Sequence, residues 1–283
     1  MSAGQAESEA PVPPRDRTPP RAAGDRGGPK SGYHVEALAK GLRLLGLFSE
    51  QRPAMKLTDM AAAAGLPLPT AFRMAATLTA EGFLEQLPDG AYRPAPKVLT
   101  LGFSALRSLD LVQLADGPLR RLADATGQTA NLGVLSGDHV LYLVRLRNND
   151  LVTANIQVGS RLPAVRSSMG KMLLSQLDDA ELERVLTEES FAGAAGPNAA
   201  ASLDALRPAL AEIRSRGWAL QDEELAYGLR SVAAPVRDAS GAAVAAVNVA
   251  VPATEVPTAR LLEEIRPRVQ EACAEISRLL GGR

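Results

Sequence analysis

The stretch from Lys56 to Arg93 constrains this chain more than any other. Lys56 is followed by LTDMAAAAG, LPLPT, AFRMAATLTAEGFL and EQLPDGAYRP. The Ala-rich segment reads as a short helix that Gly65 stops, with Thr58 expected as its N-cap and Asp59 placing negative charge at the positive helix end. A turn through Leu66–Pro69 leads to a second helix with Thr70 in its first turn. There Ala71, Met74, Ala75 and Leu78 recur at i, i+3, i+4 and i+7, a buried stripe. The same spacing turns Thr70, Phe72, Arg73 and Thr77 outward. Gly82 ends this helix, and Phe83-Leu84-Glu85 and Ala91-Tyr92-Arg93 flank Pro88-Asp89-Gly90, an Asp-Gly turn between strand-like segments. Helix, turn, helix and hairpin in this order make a winged helix-turn-helix, whose second helix presents its outward row to base edges in the major groove.

Composition narrows what such a unit serves. A length of 283 residues accommodates two domains. The net charge is −1, so any DNA contact is local rather than a general electrostatic adhesion. Cys273 is the only cysteine, which leaves no intramolecular disulfide and no thiol cluster for zinc. The two histidines, His34 and His139, fall in different expected domains, so neither a metal site nor a cofactor is expected. No apolar run approaches the roughly 18 residues of a membrane span, and the N-terminus lacks the apolar stretch of a signal peptide. A cytoplasmic protein with no membrane partner is the expectation.

Residues 1–32 are rich in Pro, Arg, Gly and Ala and short of large apolar side chains, the composition of a disordered arm. Arg15, Arg17, Arg21 and Arg26 there either add loose phosphate contacts or are simply solvated. Residues 33–94 make the DNA-binding domain, opened by a helix over Val35–Ser49 with Leu38, Leu42 and Leu45 on one stripe and Ala37, Gly41, Leu44 and Phe48 beside it, packed under the other two helices. Residues 95–109 make a linker helix suited to pairing with its copy in a second subunit. Residues 110–283 make an α+β domain. The pattern there predicts helices over Asp110–Thr126, Ser167–Gln176, Asp179–Thr187, Leu203–Arg216 and Leu261–Leu280. It predicts a hairpin of Thr129–Leu135 and Val140–Arg147, and strands over Val152–Val158, Trp218–Gln221, Ser231–Arg237 and Ala243–Val251 in an antiparallel-leaning sheet.

With these residues in view, the chain resembles the IclR family of bacterial transcription regulators over about Tyr33–Leu280. The resemblance rests on HVEALAKGLRLL, LPLPTAFRMAATLTAEGFL, DGAYRPAPKVLTLG, SLDLVQLADGPLRRLADATGQTANLGVL, VGSRLPAVRSSMGKMLL and RGWALQDEELAYGLRSVAAPVRD. The V-E-A-L-A-K-G-L opening and the S-M-G-K segment look most like the branch of PcaR- and PobR-type regulators of aromatic-acid catabolism. The family implies a winged helix-turn-helix followed by a domain resembling GAF-type small-molecule sensors. It also implies dimers, or dimers of dimers, on palindromic double-stranded operators. Both repressors and activators occur in it.

On this reading Arg73 bonds O6 and N7 of a guanine, while Thr70 and Thr77 hold phosphates or add base contacts, with Pro69 opening the helix. Phe72 either presses on a thymine methyl or packs on the neighbouring helix. Lys56 and Arg93 are either phosphate contacts or plain surface charges. The family's effector pocket, carried over residue by residue, falls on Leu151, Leu162, Ser168, Met169, Gln221, Leu229, Ser231, Asn248 and Ala250. Backbone N–H groups around Ser168–Gly170 suit a carboxylate, Ser231 and Asn248 add hydrogen bonds, and Leu162 and Leu229 form apolar walls. Members that bind very small keto acids look to have an acid at Gln221, Cys at Ser231, Ser at Asn248 and Ala250, and Gly-Ala at Ser168-Met169. The altered set implies another organic acid, aromatic or otherwise catabolic. Arg147 and Arg166 are counter-charges for it or ordinary surface and ion-pair residues, and Arg230 braces the fold.

Other motifs carry less. Asp222-Glu223-Glu224 resembles an acidic metal patch, but consecutive side chains diverge, as in a solvated turn. Gly170-Lys171 is no phosphate loop, since Val165 stands where the first glycine belongs. The competing class is a small-acid hydrolase with a DNA-binding appendage. It needs a nucleophile paired with a histidine, and only His139 is placed for that, poorly.

Overall fold

The computed structural model describes residues 34–49, 52–108, 110–146 and 156–281. The residues 1–32, Arg147 and Leu151 lie outside these, as does most of the strand expected over Val152–Val158.

Three helices open the fold: α1 (Glu36–Leu45), α2 (Leu57–Ala64) and α3 (Leu68–Ala80). Gly65 caps α2 in the left-handed conformation at φ 63°, where a side chain would be strained. Thr58 is not the N-cap of α2. The helix begins at Leu57 with Lys56 at the cap in extended backbone and no side-chain cap bond. The Thr58 hydroxyl, already inside the helix, meets only the Asp59 carboxylate at 3.4 Å. Helix α1 is shorter than expected and faces another way. Its core row runs through Gly41 and Leu44, with Leu45 packed at the margin, whereas Leu38 and Leu42 are 61% and 58% exposed. Two apolar rows lie side by side on this helix, and the three-helix core takes only one. That core joins Leu44, Met60, Ala61, Ala64, Ala71 and Ala75 to Leu84 and Tyr92 of the wing.

The wing is the antiparallel pair β1 (Leu84–Gln86) and β2 (Tyr92–Pro94), in register Glu85↔Arg93. Asp89 Oδ1 accepts the Ala91 N–H at 3.0 Å and shapes its turn. Helix α4 (Lys97–Ser108) follows, with Leu99 and Leu101 exposed.

The α+β part begins with α5 (Asp110–Thr126), then β3 (Thr129–Ser136), β4 (His139–Leu146) and β5 (Arg161–Pro163). Next come α6 (Ser168–Leu174), α7 (Asp179–Val185), α8 (Leu203–Arg216), β6 (Ala219–Asp222), β7 (Leu229–Arg237) and β8 (Ala243–Pro252). The closing helix is built of α9 (Thr258–Arg260), a π-helical turn (Leu261–Ile265) and α10 (Arg266–Leu279). A single helix was expected over Leu261–Leu280. Pro267 has no N–H to offer Glu263, and the widened turn lies next to that missing bond. No strand forms at 156–158; the edge strand there is β5, whose three residues are too few to show a period.

The six strands are all antiparallel, in the order β5-β4-β3-β8-β7-β6. Alternation sends Ala130, Leu132, Val232, Ala234, Val236, Val247 and Val249 to one face, packed under α5 and α10. Val140, Tyr142, Ala233 and Ala246 face the other side, against Met169, Met172, Leu206 and Leu210 of α6 and α8. This makes three layers, helices on both faces of one sheet. A β-bulge interrupts the alternation: Leu132 pairs with Val144 but Gly133 pairs with Tyr142, so Leu143 is extra. Consecutive Leu143 and Val144 therefore join the same core, and Tyr142 and Arg145 share the opposite face. Among the described residues, no helix is long and apolar enough to cross a membrane.

Candidate DNA-reading helix and effector cavity

Helix α3 is anchored by Ala71 and Ala75, both fully buried, and this leaves its opposite row in solvent. Pro69, Arg73 and Thr77 are exposed, Thr70 is half-buried, and Phe72 is 55% exposed. Phe72 is not among the side chains packed against the three-helix core. The Thr77 hydroxyl donates to the Arg73 carbonyl at 2.9 Å, tying the two positions one turn apart. The flanking cations are held within the wing. The Lys56 ammonium donates to the Asp89 carbonyl and lies 3.7 Å from its carboxylate. Arg93 pairs with Glu85 directly across the hairpin. The Ala91 N–H and Lys56 hold the Asp89 carboxyl below its ordinary range. Such exposed pairs contribute little to stability, so a DNA phosphate can displace either acid.

The second site lies on the inner face of the sheet, where alternation places polar side chains in an apolar layer. A cavity of ≈ 20 Å³ is lined by Asn131, Tyr142, Arg145, Ile156, Ser167, Leu225, Leu229, Ser231, Asn248 and Ala250. That is room for about one water. Six side chains in and behind its lining are linked in a single directed chain, while the buried Arg145 Nε makes no hydrogen bond. Arg145 donates to Asn131 Oδ1 at 3.3 Å, Asn131 Nδ2 to Asn248 Oδ1 at 2.8 Å, and Asn248 Nδ2 to Ser168 Oγ at 3.2 Å. Ser168 and Ser231 hydroxyls are 2.8 Å apart. Ser231 donates to Gln221 Oε1 at 3.1 Å, which commits its proton and makes Ser168 the donor of that pair. Gln221 Nε2 ends the chain on the Leu229 carbonyl at 3.2 Å. Bonds aligned in this way polarise one another in a low-dielectric interior. Burial pushes the Tyr142 phenol well above its ordinary pKa, with Arg145 opposing the rise, so it stays protonated.

Of the residues expected at an effector pocket, Leu229, Ser231, Asn248 and Ala250 line the cavity. Ser168 and Gln221 stand one hydrogen bond behind it. Met169 does not line it: it is fully buried in the core that α6 shares with the sheet. Leu162, on the edge strand, packs against that same core, and Leu151 lies outside the described residues. The backbone cradle expected around Ser168–Gly170 is also partly closed, because the N-cap Ser167 accepts the Gly170 N–H at 3.0 Å.

Arg166 is no counter-charge. It is 3% exposed, and its guanidinium donates to the carbonyls of Phe191, Ala192 and Ala194, holding the 188–194 segment. Arg230 braces the fold as expected, pairing with Asp222 and Glu223 and donating to Ala253 O. Glu224, the third acid of the run, forms a buried pair with Lys171 of α6. Among the described residues no cluster suited to a metal occurs. Sequence reasoning missed Asn131, Tyr142, Arg145, Ile156, Ser167 and Leu225. Asn131 carried a signal, a polar residue inside the apolar TANLGVL, whereas Tyr142 and Arg145 come together only through the bulge.

A winged helix-turn-helix joined to an α+β domain with an internal polar cavity defines a two-domain DNA-binding protein. Comparison with known proteins gives that class its family. Residues 37–88 match the IclR helix-turn-helix domain, and residues 103–278 match the C-terminal domain of the bacterial transcriptional regulator IclR. The chain belongs to the IclR family of bacterial transcription regulators. It is 34% identical to the HTH-type transcriptional regulator XynR of Escherichia coli (strain K12), over 87% of this chain and 98% of that protein. It is 32% identical to the Pca regulon regulatory protein of Pseudomonas putida, over 88% and 85%. Among solved structures, an IclR homolog from Microbacterium hydrocarbonoxydans complexed with 4-hydroxybenzoate superposes at a TM-score of 0.69. Its identity is 28%, over 86% of this chain and 98% of that one. These relatives are regulators, and the hydrolase alternative has no support. His139 Nδ1 faces Asp138, and the Ser190 hydroxyl donates to the same carboxylate rather than to the histidine.

Proposed function

We propose that this regulator senses a small organic acid in its C-terminal domain and changes its operator binding in response, acting in the cytoplasm. The observation that carries the reading is the directed chain of buried hydrogen bonds around the cavity, in a layer otherwise packed with apolar side chains. Buried polar groups that merely stabilised the fold would be costlier than apolar ones. The likeness to the Pca regulon regulator and to the 4-hydroxybenzoate-bound homolog supports an aromatic acid. A pocket for such a ligand is typically about 300–1,000 Å³, against ≈ 20 Å³ here. Binding must therefore open the cavity, and a state that binds acid better is the state acid favours.

DNA is read by α3, with Arg73 on a base edge, Thr70 and Thr77 fixing register and Lys56 and Arg93 of the wing on phosphates. The protein works as a dimer, or a dimer of dimers, on a palindromic operator. The apolar row of α1 (Leu38, Leu42), with Val35 just before it, and that of α4 (Leu99, Leu101) are exposed in the single chain and suit a second copy. The test is a gel shift on the DNA upstream of the protein's own gene, titrated with aromatic and aliphatic acids. At least one acid is expected to move the protein–DNA midpoint. A midpoint unmoved by every acid would remove the sensing role and leave the DNA binding.

A further inference from the structure

We propose that Arg145 is the anion-binding residue of this cavity and that it selects carboxylates over their neutral amides. The inference rests on the acid-sensing reading above and gives it a residue.

Three observations converge. The first is position. The inner cavity and an adjoining outer one of ≈ 240 Å³, lined by Arg145, Ile156, Gln157 and Val158, share Arg145 and Ile156. Arg145 thus stands where an entering molecule passes from one to the other. The second is charge. Arg145 is the one cation among the described residues lining either space. The planar guanidinium fork matches a carboxylate, which an ammonium does only as a point charge. The third is backbone geometry. Arg145 reaches this face only because β4 carries the extra residue Leu143; in an unbroken strand Tyr142 and Arg145, three apart, would point to opposite faces. Bulges re-aim side chains next to functional sites, and this one puts a charge at the head of the hydrogen-bond chain. An acid bound at Arg145 competes with Asn131 for the guanidinium. It thereby loosens the first bond of a chain that ends on β7, while its apolar body meets Ile156 and Leu229.

The experiment is calorimetric titration of the full chain with benzoate, 4-hydroxybenzoate and pyruvate, each paired with its amide. Wild-type protein is expected to favour an acid over its amide by about 10–100-fold, the range of a charge-assisted hydrogen bond. In Arg145→Gln that ratio falls to near one through lost acid affinity, with amide affinity unchanged. Arg145→Lys keeps the charge without the fork and lies between. It also guards against misfolding, because its ratio stays at the wild-type value if Arg145 has no such role. An unchanged ratio in Arg145→Gln, or equal binding of acid and amide by wild type, overturns the inference alone. Failure of wild type to bind any of the acids overturns the acid-sensing reading and the inference with it.

Discussion

Arg73 stands free of its own helix core, because Ala71 and Ala75 take the whole of the buried row of α3. Its replacement by Ala is expected to cost about 1–3 kcal/mol on the cognate operator and markedly less on random DNA, measured by fluorescence anisotropy at one salt concentration. Equal losses on both would reassign Arg73 to the phosphate backbone. Asp138 is a second residue with a measurable signature. Burial pushes its carboxyl up, but hydrogen bonds from His139 and Ser190 outweigh burial and leave it below its ordinary value. An unfolded chain binds a proton there near pH 4, where the folded chain does not, so this stabilisation is present above that pH and fades as pH falls through the folded value. Asp138→Asn should lower the urea midpoint at pH 7 and flatten its fall below pH 4. A mutant curve parallel to wild type would mean that Asp138 takes no part in the acid limb.

Lys171 and Glu224 connect two elements around the cavity, the helix carrying Ser168 and the β6–β7 turn carrying Leu225. Their side chains are only 5% and 13% exposed. Burial pushes Lys171 down and Glu224 up, and their mutual attraction offsets part of each shift. Lys171→Met leaves a buried, uncompensated carboxylate and is expected to cost about 3–5 kcal/mol in denaturant titrations. Adding Glu224→Leu should recover most of the loss, and a double mutant no more stable than the single would show that the pair is not coupled. At this scale the sequence was legible where a single residue marks a boundary. Gly65, Gly127 and Gly217 end α2, α5 and α8 where expected, and the Gly137 turn sits between β3 and β4. It was misleading where two apolar rows compete, as on α1, and silent where an element is only three residues long, as in β5. The polar positions Ser231 and Asn248 could be placed by resemblance because strand alternation carries them inward. Arg145 could not, since one inserted residue reverses the alternation after Leu143, and nothing in YLVRL announces it.

For the molecule as a whole, the exposed rows of α1 and α4 set the expected assembly. Leu38→Glu with Leu42→Glu should leave the monomer folded, since neither side chain enters the core, while shifting light-scattering mass toward the monomer and weakening a two-half-site operator more than a single half-site. Unchanged mass would place the dimer contact elsewhere. Coupling between the two ends of the chain is a stricter matter. An acid that opens the cavity alters DNA binding only if its affinity differs between DNA-free and DNA-bound protein, and the two affinities must shift each other by the same factor. The most direct test is therefore operator affinity measured with and without saturating acid, beside acid affinity measured with and without saturating operator. Reciprocal shifts of at least about 5-fold, abolished together in Arg145→Gln, are the predicted result. Tight acid binding with an operator affinity that does not move would contradict the account.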